Sequence, residues 1–329
     1  MLLSKLSDIL GTKLHGDGNI DIVGVCSLDN PKVNSICYIG TNYAKFSKLK
    51  EKVGAVLVHE SILNLIPDNN NILVTIRDID IFSNLTFLFK SKESTSIKVD
   101  SHDTSIPSLK HSGYIAGNNC SIGFNCKFGH NVVIEDNVKI GNNCSIGHNV
   151  VIHQNCIIGS NVFIDSSSTI GSEGFGNVRN KDKKWCHIHH LGSVIIHDNV
   201  QIGSNCNIDR GTIDNTIIQK GVILDNLIHI AHNTIIGEDT AIAAKTGIAG
   251  SCRIGKRNMI GGMVGIVDHI TTADDVTISA TSTVHKNLLE SGVYSGIMPI
   301  SKHSVWKRIA LLITKLDKMY KVFNKQIKS

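Results

Sequence analysis

The sequence predicts a left-handed parallel β-helix flanked by a small α/β domain and a terminal helix, and three observations carry that prediction. Aliphatic residues recur at every sixth position from Ile122 to Val284. Gly directly follows many of them, as at Gly123, Gly129, Gly141, Gly147, Gly159 and Gly171. Asn and Gly crowd the intervening positions, where tight corners need a positive φ.

The column starts with Ile122, Phe128, Ile134, Ile140, Ile146, Ile152, Ile158, Ile164 and Ile170. It resumes at Ile196, Ile202 and Ile208, slips once, and runs again from Ile218 through Ile230, Ile248 and Ile266 to Val284, with only Thr272 breaking it. One inward aliphatic and one small inward residue per six describe short flat strands joined by tight turns. Three such strands make a triangular coil of about 18 residues, and coils stack at the parallel spacing of about 4.8 Å. An antiparallel β protein would instead alternate with period two and carry hairpin turns, and neither is present. A content of only 5% aromatic residues and 4 Pro suits such stacked strands better than a helical bundle.

The same frame accounts for most of the nine cysteines. Cys120, Cys126, Cys144, Cys156, Cys206 and Cys252 all fall in the small inward slot that Val138, Val150 and Val162 fill elsewhere. They read as small buried residues of a reduced compartment rather than as ligands or bridges.

Outside the coils, residues 1–105 read as a separate α/β domain, with buried-strand runs at Ala55–Val58 and Ile72–Thr75. The coils occupy 106–298, and 299–329 holds an amphipathic helix from Ser304 to Ile327 with a basic face that includes Lys307, Lys315, Lys318 and Lys321. That face is either simply solvated or a docking surface for an acidic protein or carrier. The start, MLLSKLSDILGTK, lacks the unbroken apolar core of a signal peptide. No stretch approaches the roughly 20 apolar residues of a membrane span, so a soluble cytoplasmic protein is expected. A net charge of +5 over the chain does not argue for nucleic acid.

Chemistry has to be sought at exceptions to the repeat. The coil is interrupted from about Ser172 to Ser193 by a loop containing Gly174-Phe175-Gly176 and the cluster His187, His189, His190. Apart from lone Cys186, no carboxylate or Cys pair at ligand spacing accompanies these histidines, so no metal is expected. The segment from Leu224 to Asn233 is more informative. His232 falls at a corner, and Gly250 stands at the equivalent position 18 residues on, one coil higher. Two coils up, a span of about 10 Å, comes Asp268-His269. A histidine beside a side-chain-free backbone N–H is an arrangement for a general base next to an oxyanion donor.

These features, together with Gly171-Ser172-Glu173-Gly174-Phe175-Gly176, Ile208-Asp209-Arg210-Gly211, Asp225-Asn226, Ile230-Ala231-His232-Asn233 and Gly292-Val293-Tyr294-Ser295-Gly296, resemble the UDP-3-O-acylglucosamine N-acyltransferases of lipid A synthesis. The resemblance spans nearly the whole chain. It implies a homotrimer with active sites between neighbouring coils, and transfer of a 3-hydroxyacyl chain from acyl carrier protein to the 2-amine of UDP-3-O-acylglucosamine. No cofactor is implied, since the acyl group arrives on the carrier's phosphopantetheine. By the same resemblance His232 is the general base, Asp225 the carboxylate that orients it, and Gly250 the oxyanion donor. His269 is expected near the substrate phosphates, Tyr43 or Tyr38 against the uracil, and Asn226 and Asn233 at the substrate. Lys286, with Lys315 and Lys318 on the terminal helix, is expected to contact the carrier.

The sequence departs from the pattern at Glu173, where relatives carry Asp, and at His189 and His190, where they carry Pro and Gln. Thr283 and His285 replace long apolar residues in a region expected to line the acyl groove. The rival readings are an O-acyltransferase acting on UDP-N-acetylglucosamine, whose family begins almost directly with coils, and a non-catalytic β-helix scaffold.

Overall fold

A computed structural model describes residues 1–41, 53–66, 71–77, 79–90, 113–296, 300–316 and 319–321. From Tyr114 onward, short parallel strands stack into three sheets of nine, nine and seven strands. Register advances by one coil at a time, so Ile146 pairs with Phe128 below and Ile164 above. Farther on, Ile230 pairs with Ile248 and Ile248 with Ile266. Each aliphatic column thereby becomes a stack of touching side chains, and the three columns close into one continuous core. Burying each of these Ile side chains is worth about 1.5–3 kcal/mol, which compensates for strands of only two or three residues.

The corners explain the asparagines. Asn119, Asn125, Asn131, Asn137 and Asn143 all have φ between 56° and 61°, a left-handed conformation that Asn tolerates better than most residues. Their side chains also form ladders from coil to coil: Asn125 Nδ2 donates to Asn143 Oδ1 at 3.0 Å, and Asn143 Nδ2 to Asn161 Oδ1 at 3.2 Å. Corner N–H groups are capped from one coil above, as where Phe124 N donates to Asn142 Oδ1 and Lys256 N to Asp274 Oδ1.

None of the nine cysteines forms a disulfide. Those in the coils do more than fill space. Cys126, Cys144, Cys206 and Cys252 each donate Sγ–H to the carbonyl of Gly141, Gly159, Asp225 and Val267 respectively, at 3.1–3.2 Å. Thr234, Thr240 and Thr246 occupy the same slot and donate to Ala249, Gly255 and Gly261 at 2.9–3.0 Å. Burial raises the thiol pKa of Cys144, to about 11, and those of Cys206 and Cys252, which keeps their donating protons in place. Thr272, the break in the aliphatic column, belongs to a buried polar relay: its Oγ1 accepts from Asn258 Nδ2, and Asn258 Oδ1 accepts from Val276 N.

Among the described residues, the amino-terminal segment forms a five-stranded sheet in which Ala55–His59 and Ile72–Thr75 run parallel and Lys13–His15 pairs antiparallel at one edge. The helices Leu3–Leu10 and Asp80–Phe89 cover one face, around a core of Leu3, Leu6, Leu57, Leu73, Phe82 and Leu85. Ile188, from the loop that interrupts the coils, packs into that same core. Ser83 Oγ donates to His187 O at 2.5 Å, and His189 N to Thr86 Oγ1 at 3.2 Å. Met1–Ser295 accordingly forms one compact unit.

The second unit, Gly296–Ser329, contains the helix His303–Ile313. A break follows at Thr314 and Lys315, where Thr314 Oγ1 donates to Leu311 O at 2.8 Å, and helical structure is present again at Leu316 and at Met319–Lys321. No described helix is long and apolar enough to cross a membrane.

Candidate active site

His232 sits on the corner between the strands His229–Ile230 and Ile235–Ile236. Gly250 lies on the same corner one coil higher, since Ser251 N donates to His232 O at 2.9 Å. The imidazole lies close against the Gly250 backbone. A Cβ at residue 250 would come within 2.6 Å of His232 Cε1 and 2.7 Å of Nε2, so only glycine fits. Many corner N–H groups have a side-chain cap, whereas that of Gly250, like those of His232, Gly262 and Asp268, has no acceptor among the described residues.

The protonation pattern of His232 follows from its neighbour. Asn233 Nδ2 donates to Asp214 O at 3.2 Å, and its Oδ1 accepts from Thr212 N at 2.9 Å, which fixes the amide orientation. The same Oδ1 faces His232 Nδ1 at 3.1 Å. Nδ1 is therefore the protonated nitrogen, and Nε2 keeps its lone pair. An imidazole held in that tautomer is poised to accept a proton at Nε2.

Two cavities meet at this histidine. The first, of about 690 Å³, runs along the coils past His229, Gly247, Gly250, Gly265, His269 and Thr283. Nothing stands within 4 Å of where a Cβ would project from Gly247 or Gly265, so these glycines open its floor. The second, of about 600 Å³, reaches Tyr38, Phe82, Asp29 and Asp214 beside the amino-terminal sheet. His232 and Phe175 line both.

Three further residues surround the histidine. Asp209 is 6% exposed. Burial raises its carboxyl pKa despite a hydrogen bond donated by Ser172 Oγ at 2.9 Å and the nearby charges of His229 and His232. His190 meets His232 edge-on with ring centroids 5.2 Å apart. Burial, reinforced by the charge of His232, pushes its pKa down to about 4, so it stays neutral. Arg210 is buried and clamps the loop through Nε to Gly192 O at 2.8 Å. Neither Asp209 nor His190 stood out as a site residue in the sequence.

Other expected residues lie elsewhere. Asp225 does not meet His232 within the chain. It sits on the preceding corner of the triangle, where Oδ1 accepts from Asn226 N at 2.8 Å and Oδ2 from Ala244 N at 3.1 Å. Asn226 shares that corner and caps Ser204 N at 2.8 Å rather than lining either cavity. Asn233 lines the second cavity, His269 the first, and Tyr38 the second, where it stacks on Phe82 at 5.0 Å. Lys286 and Lys315 are exposed. Tyr43 and Lys318 lie outside the described residues.

A parallel solenoid of hexapeptide coils with a histidine–glycine corner between two cavities defines a hexapeptide-repeat transferase. Residues 117–144 and 137–172 match the family described as bacterial transferase hexapeptide (six repeats). The chain is 37% identical over 321 residues to the UDP-3-O-acylglucosamine N-acyltransferase of Acinetobacter baumannii strain AYE, covering 95% of this chain and 90% of that one. It belongs to the UDP-3-O-acylglucosamine N-acyltransferase family. The relative from Bordetella avium is 42% identical over 154 residues, a match to 46% of this chain that spans only 43% of that relative's length. Among solved structures, the UDP-N-acetylglucosamine acyltransferases of Campylobacter jejuni and Bacteroides fragilis superpose with a TM-score of 0.50 each. They are 19% and 25% identical, over 56% and 57% of this chain and 71% of each of theirs. The Campylobacter likeness is one of fold.

Proposed function

We infer that this protein transfers a 3-hydroxyacyl chain from the phosphopantetheine of acyl carrier protein to the 2-amine of UDP-3-O-acylglucosamine. The observation that carries the reading is the contact of His232, held with Nε2 free, against the uncapped N–H of Gly250. Nε2 takes a proton as the amine nitrogen attacks the thioester carbon. The oxygen of the tetrahedral adduct accepts from Gly250 N–H. The C–S bond then breaks, and His232 returns the proton to the departing sulfur, leaving an amide and a free thiol. The glycine-floored cavity suits an acyl chain, and the cavity beside Tyr38 suits the nucleotide sugar, with the aromatic ring as a stacking surface for uracil. The pairing expected for Asp225 is between chains of a homotrimer, because within one chain it occupies a different corner. Lys286, Lys315 and Lys318 would meet the acidic carrier.

Product mass spectrometry with UDP-3-O-acylglucosamine and a mixed set of acyl carrier thioesters tests the reaction and the chain length together. The expected product carries one added acyl group as an amide. Acylation only of hydroxyl groups would return the protein to the O-acyltransferase reading. His232→Ala should lower kcat by about 10²–10⁴-fold while the oligomer stays intact.

A further inference from the structure

Glu173, His187 and His189 belong to different parts of the loop that interrupts the coils, and the fold brings their ligating atoms within 4.8 Å of one another. Glu173 Oε2 lies 2.9 Å from His187 Nε2, and Oε1 lies 3.6 Å from His189 Nδ1. The rings of His187 and His189 meet edge-on at 4.8 Å. The carboxylate that the sequence spacing did not supply is thus delivered by the fold from 14 residues upstream.

We propose that Glu173, His187 and His189 form a binding site for a divalent cation of the zinc class. Two imidazoles and a carboxylate are a donor set that zinc accepts, with a fourth position left to water. Bonds of about 2.0–2.2 Å in a tetrahedron place ligand atoms about 3.3 Å apart, close to the two separations already present. His187 carries the outer partner such ligands need. Its Nδ1 faces Asn177 Oδ1 at 3.4 Å, across the register of the small hairpin, which leaves Nε2 as the metal-facing nitrogen. His189 Nδ1 is buried with no hydrogen-bond partner, an orphan that a metal bond would satisfy.

The site is distinct from the His232 corner yet mechanically joined to it. Glu173 directly precedes Gly174, whose Cβ position would lie 3.2 Å from His232 Cδ2, and Phe175, which walls both cavities. The cation would pin the start of this loop to its returning strand, which is itself bonded to the helix Asp80–Phe89 through Ser83 and Thr86. The role assigned is structural, and it does not depend on the acyl-transfer reading.

The test is cobalt titration of the full-length protein after chelator treatment, with CoCl₂ as probe and absorption in the visible as readout. Wild type should take up one equivalent and show the intense ligand-field bands of a four-coordinate ion. Glu173→Gln and His187→Asn should each weaken binding by at least 10-fold. Asn177→Ala should weaken it by about 10–100-fold through the lost outer partner. Lys90 acts on both Glu173 and His189 with like charge to the cation, so Lys90→Ala should tighten binding, an outcome no unfolded variant would imitate. A wild-type protein without a saturable visible band, or variants that bind as wild type does, would overturn the proposal.

Discussion

His190 shows how a single buried side chain ties the site to the solution pH. In the unfolded chain its imidazole is protonated below its ordinary value of 6.5, whereas in the fold burial beside His232 keeps it neutral down to about 4. Between those values the unfolded state binds the extra proton. The stability present above pH 6.5 is therefore lost progressively as pH falls toward 4, and no more is lost from this group below that. At 1.36 kcal/mol per pKa unit the loss is at most about 3 kcal/mol. His190→Gln, which cannot titrate, should flatten the fall in urea midpoint between pH 7 and 4. A variant with the same slope as wild type would assign the acid sensitivity to other groups. His232 gains a second consequence from the same contact. A neutral neighbour does not repel the proton that His232 takes during turnover, whereas a cationic one would.

At the scale of the repeating element, the corner conformation separates what the sequence displays from what it conceals. The six-residue column was legible because each inward Ile repeats whatever lies between. The left-handed corners were legible as Asn in the early coils. They are not legible later, where Lys245, Ser251, Arg257, Met263 and His269 adopt φ of 55–63° without any residue type that advertises it. A side chain such as Met pays about 1–2 kcal/mol for that conformation. Met263→Asn should therefore be stabilising, by about 1 kcal/mol and ~2–4 °C in Tm, measured by thermal scans of the two proteins at equal concentration. An unchanged or lower Tm would mean that the Met263 side chain makes a compensating contact with another copy of the chain. The same reasoning divides the site. His232 and Gly250 could be matched because the six-residue frame does not slip between Ile218 and Val284, so counting 18 residues finds the next coil. Asp209 and His190 could not, since the loop from 172 to 193 and the slip after Ile208 destroy the count on both sides of them. Glu173 was hidden from its two histidines for the same reason. The cysteine slot was half legible: its smallness shows in the sequence, but its donor role emerges only when Thr246 and Cys144 are seen bonding equivalent carbonyls.

The molecule as a whole poses the question of Asp225. The triangular coil has three corners, and Asp225 and His232 occupy successive ones, separated by the strand His229–Ile230. Within one chain the carboxylate instead closes its own corner through Asn226 and Ala244. If the two act as a pair, the contact has to be made where the Asp225 corner of one chain meets the His232 corner of the next. Cyclic threefold symmetry repeats such a heterologous contact and closes it after three copies. That arrangement is testable by mixing. His232→Ala and Asp225→Ala, each inactive alone, should regain activity when unfolded and refolded together. In randomly mixed trimers a site needs an intact histidine from one chain and an intact aspartate from its neighbour, each with a probability of one half. About one quarter of wild-type activity should return. Recovery near zero, with trimers shown to have mixed by mass, would place Asp225 in the service of its own corner, and Asp209 would then be the carboxylate that answers to His232.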